Sequence, residues 1–219
     1  MTLSVVRRLP GPARLEAFSD GVLAIVITLL VLEIKVPHID DPQSAQEALG
    51  GLVRLAPKLL GYVLSFLFIA VFWINHHRFF QLIARVDNGL LWLNMLLLLA
   101  MSFIPFPTAF VGEYPWNGLA LALFGLVLMV AGLAFHLMWR RARSHGLLHA
   151  DVDVDTVRQA IRRGMVGPAL YAVAAIVAFV LPIGAWTLCV SIPIYYALPR
   201  HQSQSSPGTS GNHAPQGHL

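Results

Sequence analysis

From Gly21 to Leu32 the chain runs GVLAIVITLLVL, twelve residues whose only polar side chain is the hydroxyl of Thr28. A polar cluster, Arg14, Ser19 and Asp20 around Phe18, precedes this run, and Glu33, Lys35 and Pro37 follow it. Read as a helix, residues 18–36 cover roughly 28 Å at about 1.5 Å per residue, close to the hydrocarbon thickness of a bilayer. The apolar residues are not confined to one stripe, so the segment is buried all round, in lipid, in protein or in both. On a wheel of about 100° per residue, Gly21, Ile25, Leu29, Leu32 and Val36 share a narrow arc with Thr28 at its edge. Leu23, Ile27, Leu30 and Ile34 form a second face. Such an arc suits packing against a neighbouring membrane helix as well as the lining of a pore.

Similar runs recur, and the balance of the chain explains why. With 57% hydrophobic and 12% charged residues in 219, little remains for a water-soluble domain. The single cysteine, Cys189, excludes an internal disulfide and a cysteine-rich zinc cage. The basic N-terminal stretch lacks a signal peptide's continuous apolar core, so the first membrane helix is expected to be retained. A formal charge of +4 invites a nucleic-acid reading. The basic residues flank apolar segments, however, and membrane orientation accounts for them better, so no nucleic-acid partner is expected.

Six spans are expected, making an all-α polytopic membrane protein. After the first, HIDDPQSAQEALGG reads as a polar, acidic loop. A second span covers about residues 55–75 and ends at His76, His77 and Arg78. A third covers about 89–111, with Pro105 and Pro107 kinking or ending it. A fourth, about 118–139, closes on Arg140, Arg141 and Arg143. Within the polar connection 144–163, Asp155 is placed to cap a short helix, TVRQAIRR. The fifth span covers about 165–181 and the sixth, after a break at Pro182 and Gly184, about 185–198. Residues 1–200 thus form one transmembrane domain, and 201–219, rich in Gln, Ser, Gly, Pro and His, are expected to be a disordered cytoplasmic tail. With both termini on one side, that side collects twelve of the fifteen Lys and Arg residues, leaving Lys35, Arg54 and Lys58 opposite. This bias puts both termini in the cytoplasm of a multi-pass cell-membrane protein.

The polar residues at span ends admit more than one reading. Ser19 or Asp20 could cap the first helix while Arg14 snorkels to headgroups, or the three could join a hydrogen-bonded network with the end of the second span. Trp73, Asn75, His76 and His77 could anchor at the interface or belong to that network. Adjacent histidines point about 100° apart, and DVDVD lacks the glycine and glutamate of a calcium loop, so no metal site is expected. No Ser-His-Asp order, glycine-rich phosphate loop or HExxH stretch is present, and the chain does not read as an enzyme.

Arg14, Phe18, Ser19 and Asp20 stand as R-x-x-x-F-S-D ahead of the apolar run. FWINHHRFF, from Phe72 to Phe80, and SFIPFPTA, from Ser102 to Ala109, follow in order. Together they resemble the potassium channel family named for transmembrane protein 175, most strongly over residues 14–110. The resemblance implies that the first helix of each subunit lines a central pore. It implies Ile25, Leu29 and Leu32 as an apolar constriction and Thr28 as a selectivity residue. Phe18, Ser19, Asp20 and Arg14, with Trp73, His76 and His77, become supports of the pore helix. A single motif copy gives one pore helix per chain, so several chains must assemble, and the family implies a homotetramer. The permeant potassium ion is the only ligand implied, and no cofactor. Lacking the T-V-G-Y-G filter, such a pore would discriminate K+ from Na+ weakly through partial dehydration. A small-solute carrier would need broken helices or an internal repeat, neither of which is evident. A non-conducting scaffold would use the same motifs architecturally.

Overall fold

Pro12 opens the first helix, α1 (Pro12–Leu32), where its missing N–H would have had no partner anyway. The computed structural model describes residues 11–197. The helix therefore starts before the 18–36 segment read from sequence, and Ser19 and Asp20 sit inside it, not at its cap. Gly11 is the N-cap. The end comes early as well. Glu33 and Ile34 turn back to the carbonyls of Leu30 and Val31, and Lys35 Nζ donates to Leu32 O at 3.2 Å. Val36, restricted by the proline after it, thus leaves the arc it was expected to share.

Where an acidic loop was expected there is a helix, α2 (Ala45–Arg54). Ser44 caps it by accepting from Glu47 N at 3.2 Å, and the Glu47 carboxylate accepts from Asp40 N and Asp41 N, both at 3.0 Å. The second span, α3 (Ala56–Gln81), runs well past Asn75 and carries His76, His77 and Arg78 within it. Next come α4 (Asn88–Phe103) and α5 (Pro105–Glu113), one run broken at Ile104. Pro105 cannot donate to Met101 O, and Ile104 N takes that carbonyl instead at 3.1 Å. The bend is stitched to α3. Thr108 Oγ1 donates to Ile104 O at 2.8 Å, so it accepts from Ser65 Oγ at 2.7 Å.

The longest of the described helices, α6 (Gly118–Ser144), is also the most buried of the long apolar ones and packs against both α4 and a later helix, α8 (Val166–Val177). Small residues, Ala120, Ala122, Ala131 and Ala134, let its neighbours approach. Opposite Gly125, the backbone and Ala175 of α8 lie within van der Waals reach of where a side chain would project. Beyond α6, segment 82–85 pairs with 147–149 through Ala84 N to Leu147 O and His149 N to Leu82 O, at 2.9 and 3.0 Å. Gly146, at a φ of 59°, makes the turn.

The short amphipathic helix α7 (Val154–Gly164) is capped by Asp153, two residues before the expected Asp155. Asp153 Oδ2 accepts from Thr156 N and Oγ1. Asp155 instead pairs with Arg158. Then α8 (Val166–Val177) and α9 (Pro182–Ala197) close the bundle; α9 starts at Pro182, which opens the helix as Pro12 does, in place of the expected Ala185. Pro193 lies within α9. Among the described residues, five helical runs are long and apolar enough to cross a membrane: α1, α3, α4 with α5, α6, and α7 with α8. At 16 residues α9 is shorter, about 24 Å. Among the described residues there is no strand, only the isolated bridge between Ile83 and Leu148. The expected tail 201–219, the end of the sixth span at Leu198, and Arg7, Arg8 and Arg200 lie outside the described residues.

Candidate functional site

Viewed down α1, two faces separate cleanly. Leu15, Ser19, Leu23, Val26 and Leu30 are buried against α3, α4 and α5. On the other side Arg14, Phe18, Gly21, Ile25, Thr28, Leu29 and Leu32 are all exposed. Ile25 is 60%, Leu29 42% and Leu32 62% exposed, whereas Leu30 is fully buried. These follow the spacing of one helical stripe, so the arc seen on the wheel is a real surface. Thr28 Oγ1 spends its proton on Ile25 O at 2.8 Å, leaving its lone pairs toward that surface.

The buried face is fixed by a chain of hydrogen bonds whose directions are determined. Ser19 Oγ donates its one proton to Leu15 O at 2.8 Å, so it accepts from Asn94 Nδ2 at 2.9 Å. Asn94 Oδ1 must therefore face His76, and His76 Nε2 donates to it at 2.9 Å. Ser19, Asn94 and His76 are each fully buried. They lie about 8–11 Å inside the ends of α1, α4 and α3, so three helices meet at one level. His76 packs against the ring of Phe80, with centroids 4.6 Å apart, and its Nδ1 has no partner among the described residues.

Toward solvent a second set of contacts joins α1 to α3. Trp73 Nε1 donates to Asp20 Oδ1 at 2.9 Å, and one turn along His77 Nδ1 donates to Glu16 Oε1 at 2.7 Å. Both helices use i,i+4 pairs, so two antiparallel helices form two rungs. Trp73 and His77 stack with planes 17° apart, and Gln81 Nε2 reaches His77 Nε2 at 2.9 Å.

Of the residues singled out from sequence, Ser19, Asp20, Trp73, His76 and His77 come together here. Phe18 does not; it is 55% exposed on the opposite side. Arg14 is also separate and makes no ion pair with Asp20. Six residues along a helix turn about 240°, which puts the two on different faces. Two partners escaped the sequence reading. Asn94 is the lone amide in an otherwise apolar stretch, LLWLNMLLLL, and that isolation was the available signal. Glu16, one turn before Asp20, had the matching spacing to His77 against Trp73.

The same architecture exists elsewhere. A family model described as the endosomal/lysosomal potassium channel TMEM175 matches residues 14–105, the span containing both sets of contacts. A curated potassium channel from Chamaesiphon minutus is 38% identical over 192 residues, covering 84% of this chain and 93% of that protein. The chain belongs to the TMEM175 family. A potassium channel from Streptomyces collinus is 41% identical over 172 residues, covering 76% and 82% of the two chains. The crystal structure of a homologue, from Chamaesiphon minutus, of the lysosomal potassium-selective channel TMEM175 superposes with a TM-score of 0.75. It shares 36% identity and covers 85% of this chain and 96% of its own. The TMEM175 family is one of ion channels, not enzymes. The model's match ends at residue 105, within α5, so α6 to α9 lie outside it while every anchor of α1 lies inside.

Proposed function

We propose that this protein is a potassium-permeable channel of the cell membrane, a homotetramer in which α1 of each subunit lines a central pore. The observation that carries this reading is the two-faced α1. It is held by buried hydrogen bonds on one side, and on the other it leaves Ile25, Leu29 and Leu32 largely uncovered by the described residues of its own subunit. An apolar stripe next to a polar anchor suits a constriction ring repeated around an axis. Thr28, at the edge of the stripe, is the selectivity residue. Partial dehydration in such a neck costs less for K+ than for the more strongly hydrated Na+, so selectivity is modest. The anchor formed by Ser19, Asp20, Trp73, His76 and His77 fixes the stripe's rotation.

The membrane topology has six spans, α9 included, with both termini cytoplasmic. The end of the bundle bearing Arg78, Arg85, Arg140, Arg141 and Arg143 faces the cytoplasm, opposite Lys35, Arg54 and Lys58. Local thinning of the bilayer accommodates the short α9. Recording from purified protein in a planar bilayer under opposed K+ and Na+ gradients tests the channel reading. Discrete steps that reverse nearer the K+ potential are expected. Ile25→Asn should wet the neck, raising unitary current roughly severalfold and moving the reversal toward zero. Silence, or slow saturable flux, would overturn the proposal.

A further inference from the structure

A cavity of about 490 Å³ opens between α3, α6, α7, α8 and α9, on the side of the bundle away from α1. Its rim is polar and cationic, with Arg78, Gln81, Gln159 and Arg163. Its interior is aromatic and aliphatic. Phe68 and Tyr171, in edge contact at 5.8 Å, stand at its inner end. From Gln81 to Phe68 the wall follows α3 for thirteen residues, about 20 Å. An elongated, mostly apolar cavity of this length suits an acyl chain lying along α3.

Charge decides what fits. No carboxylate lines the cavity, and neither Arg78 nor Arg163 has an ion-pair partner among the described residues. All eleven acidic side chains lie within the described residues, and none of them lines the cavity. Two guanidiniums without an ion-pair partner among the described residues, at the rim of an elongated apolar cavity, match a phosphate with an attached acyl chain. We propose that this cavity binds an anionic membrane phospholipid, its phosphate between Arg78 and Arg163 and one acyl chain along α3 toward Phe68. No residue of α1 contributes, so the site stands whatever the pore does.

Native mass spectrometry of the full-length protein, released from detergent with defined lipids, tests the proposal. Phosphatidylglycerol and phosphatidylcholine of identical acyl chains are compared, with inorganic phosphate as competitor. Wild type should retain phosphatidylglycerol in preference. The double variant Arg78→Gln, Arg163→Gln should lose about 25-fold of that preference, at about fivefold per arginine, while Arg78→Lys, Arg163→Lys keeps most of it. Val71→Trp, which fills the slot without touching the rim, should reduce retention of both lipids. Equal retention of the two lipids by wild type, or a preference surviving in the double glutamine variant, overturns the proposal. So does displacement of the lipid by millimolar phosphate, which would make the rim a free-phosphate site. Unaltered retention in Val71→Trp overturns the placement of the acyl chain. Melting profiles of each variant identify any that fail to fold, and in that event the single variants Arg78→Gln and Arg163→Gln, each expected to lose about fivefold of the preference, carry the charge test, an unchanged preference in both overturning the proposal.

Discussion

Replacing Asn94 with Ala removes the one side chain that both α1 and α3 need. His76 Nε2–H would then be a buried donor without an acceptor, and orphaning a neutral buried group costs about 1–3 kcal/mol. Ser19 suffers less, because Oγ still donates to Leu15 O at 2.8 Å and loses only an accepted bond. Interhelical hydrogen bonds within membranes average nearer 0.6 kcal/mol, since the unfolded helices find other partners. The vacated space adds a small cavity term. Together these give about 1.5–3 kcal/mol, or a fall of about 3–12 °C in Tm for a chain of this size. Ser19→Ala leaves Asn94 paired with His76 and should cost about 1 kcal/mol. The double variant should cost less than the sum, because both single changes delete the same bond. Asn75→Ala is the control: its amide only bonds Val71 O on its own helix, and the change should stay within about 0.5 kcal/mol. Thermal unfolding in detergent, followed by tryptophan fluorescence, reads all four. An unshifted Tm for Asn94→Ala, or strict additivity with Ser19→Ala, would refute the linked network.

Two further outcomes follow from polar contacts outside the bilayer core. The Arg141 guanidinium, with Nε at 2.9 and 3.0 Å and Nη2 at 2.8 Å, holds the Asp87 carboxyl below its ordinary value, and Leu90 N adds a capping bond at 2.7 Å. The depressed pKa gives stability that is fully present above the unfolded value, about 4, and lost as pH falls through the folded one. Tm should therefore fall in acid below about pH 4; Asp87→Asn should weaken that acid sensitivity, and Asp87→Ala should cost about 1 kcal/mol through the cap alone at neutral pH. An acid sensitivity identical in Asp87→Asn would contradict this. On the opposite face, Glu47→Ala frees the amides of Asp40 and Asp41, whose hydrogen exchange should speed by about tenfold or more relative to the α2 interior.

Much of this architecture could be read in the sequence because a bilayer allows few solutions. Long apolar runs must be helices, and Pro105 had to interrupt one because it withdraws a donor from Met101 O. The stripe through Ile25, Leu29 and Leu32 was visible because helical spacing fixes which side chains share a face. What was missed depended on partners distant in the chain or on local competition. Asp153, not Asp155, caps α7, and both are acidic residues at the same boundary that composition cannot separate. The α2 helix is masked in the sequence by its polar, acidic surroundings, although Ser44-x-x-Glu47 is a helix-start pattern in which the glutamate bonds the preceding loop. Arg14 lies close to Asp20 in sequence yet on another face. Asn94 is 75 residues from Ser19, and only the folded bundle pairs them.

The exposed stripe of α1 can be probed by covalent modification during current recording. In a Cys189→Ser background, Leu32→Cys should lose most of its current when a cationic thiol reagent is added, if the proposed pore runs along this face of α1. Leu30→Cys, two residues away on the fully buried face, should conduct undisturbed under the same reagent. Current insensitive at Leu32→Cys, or equally blocked at both positions, would contradict a pore bounded by this face of the helix.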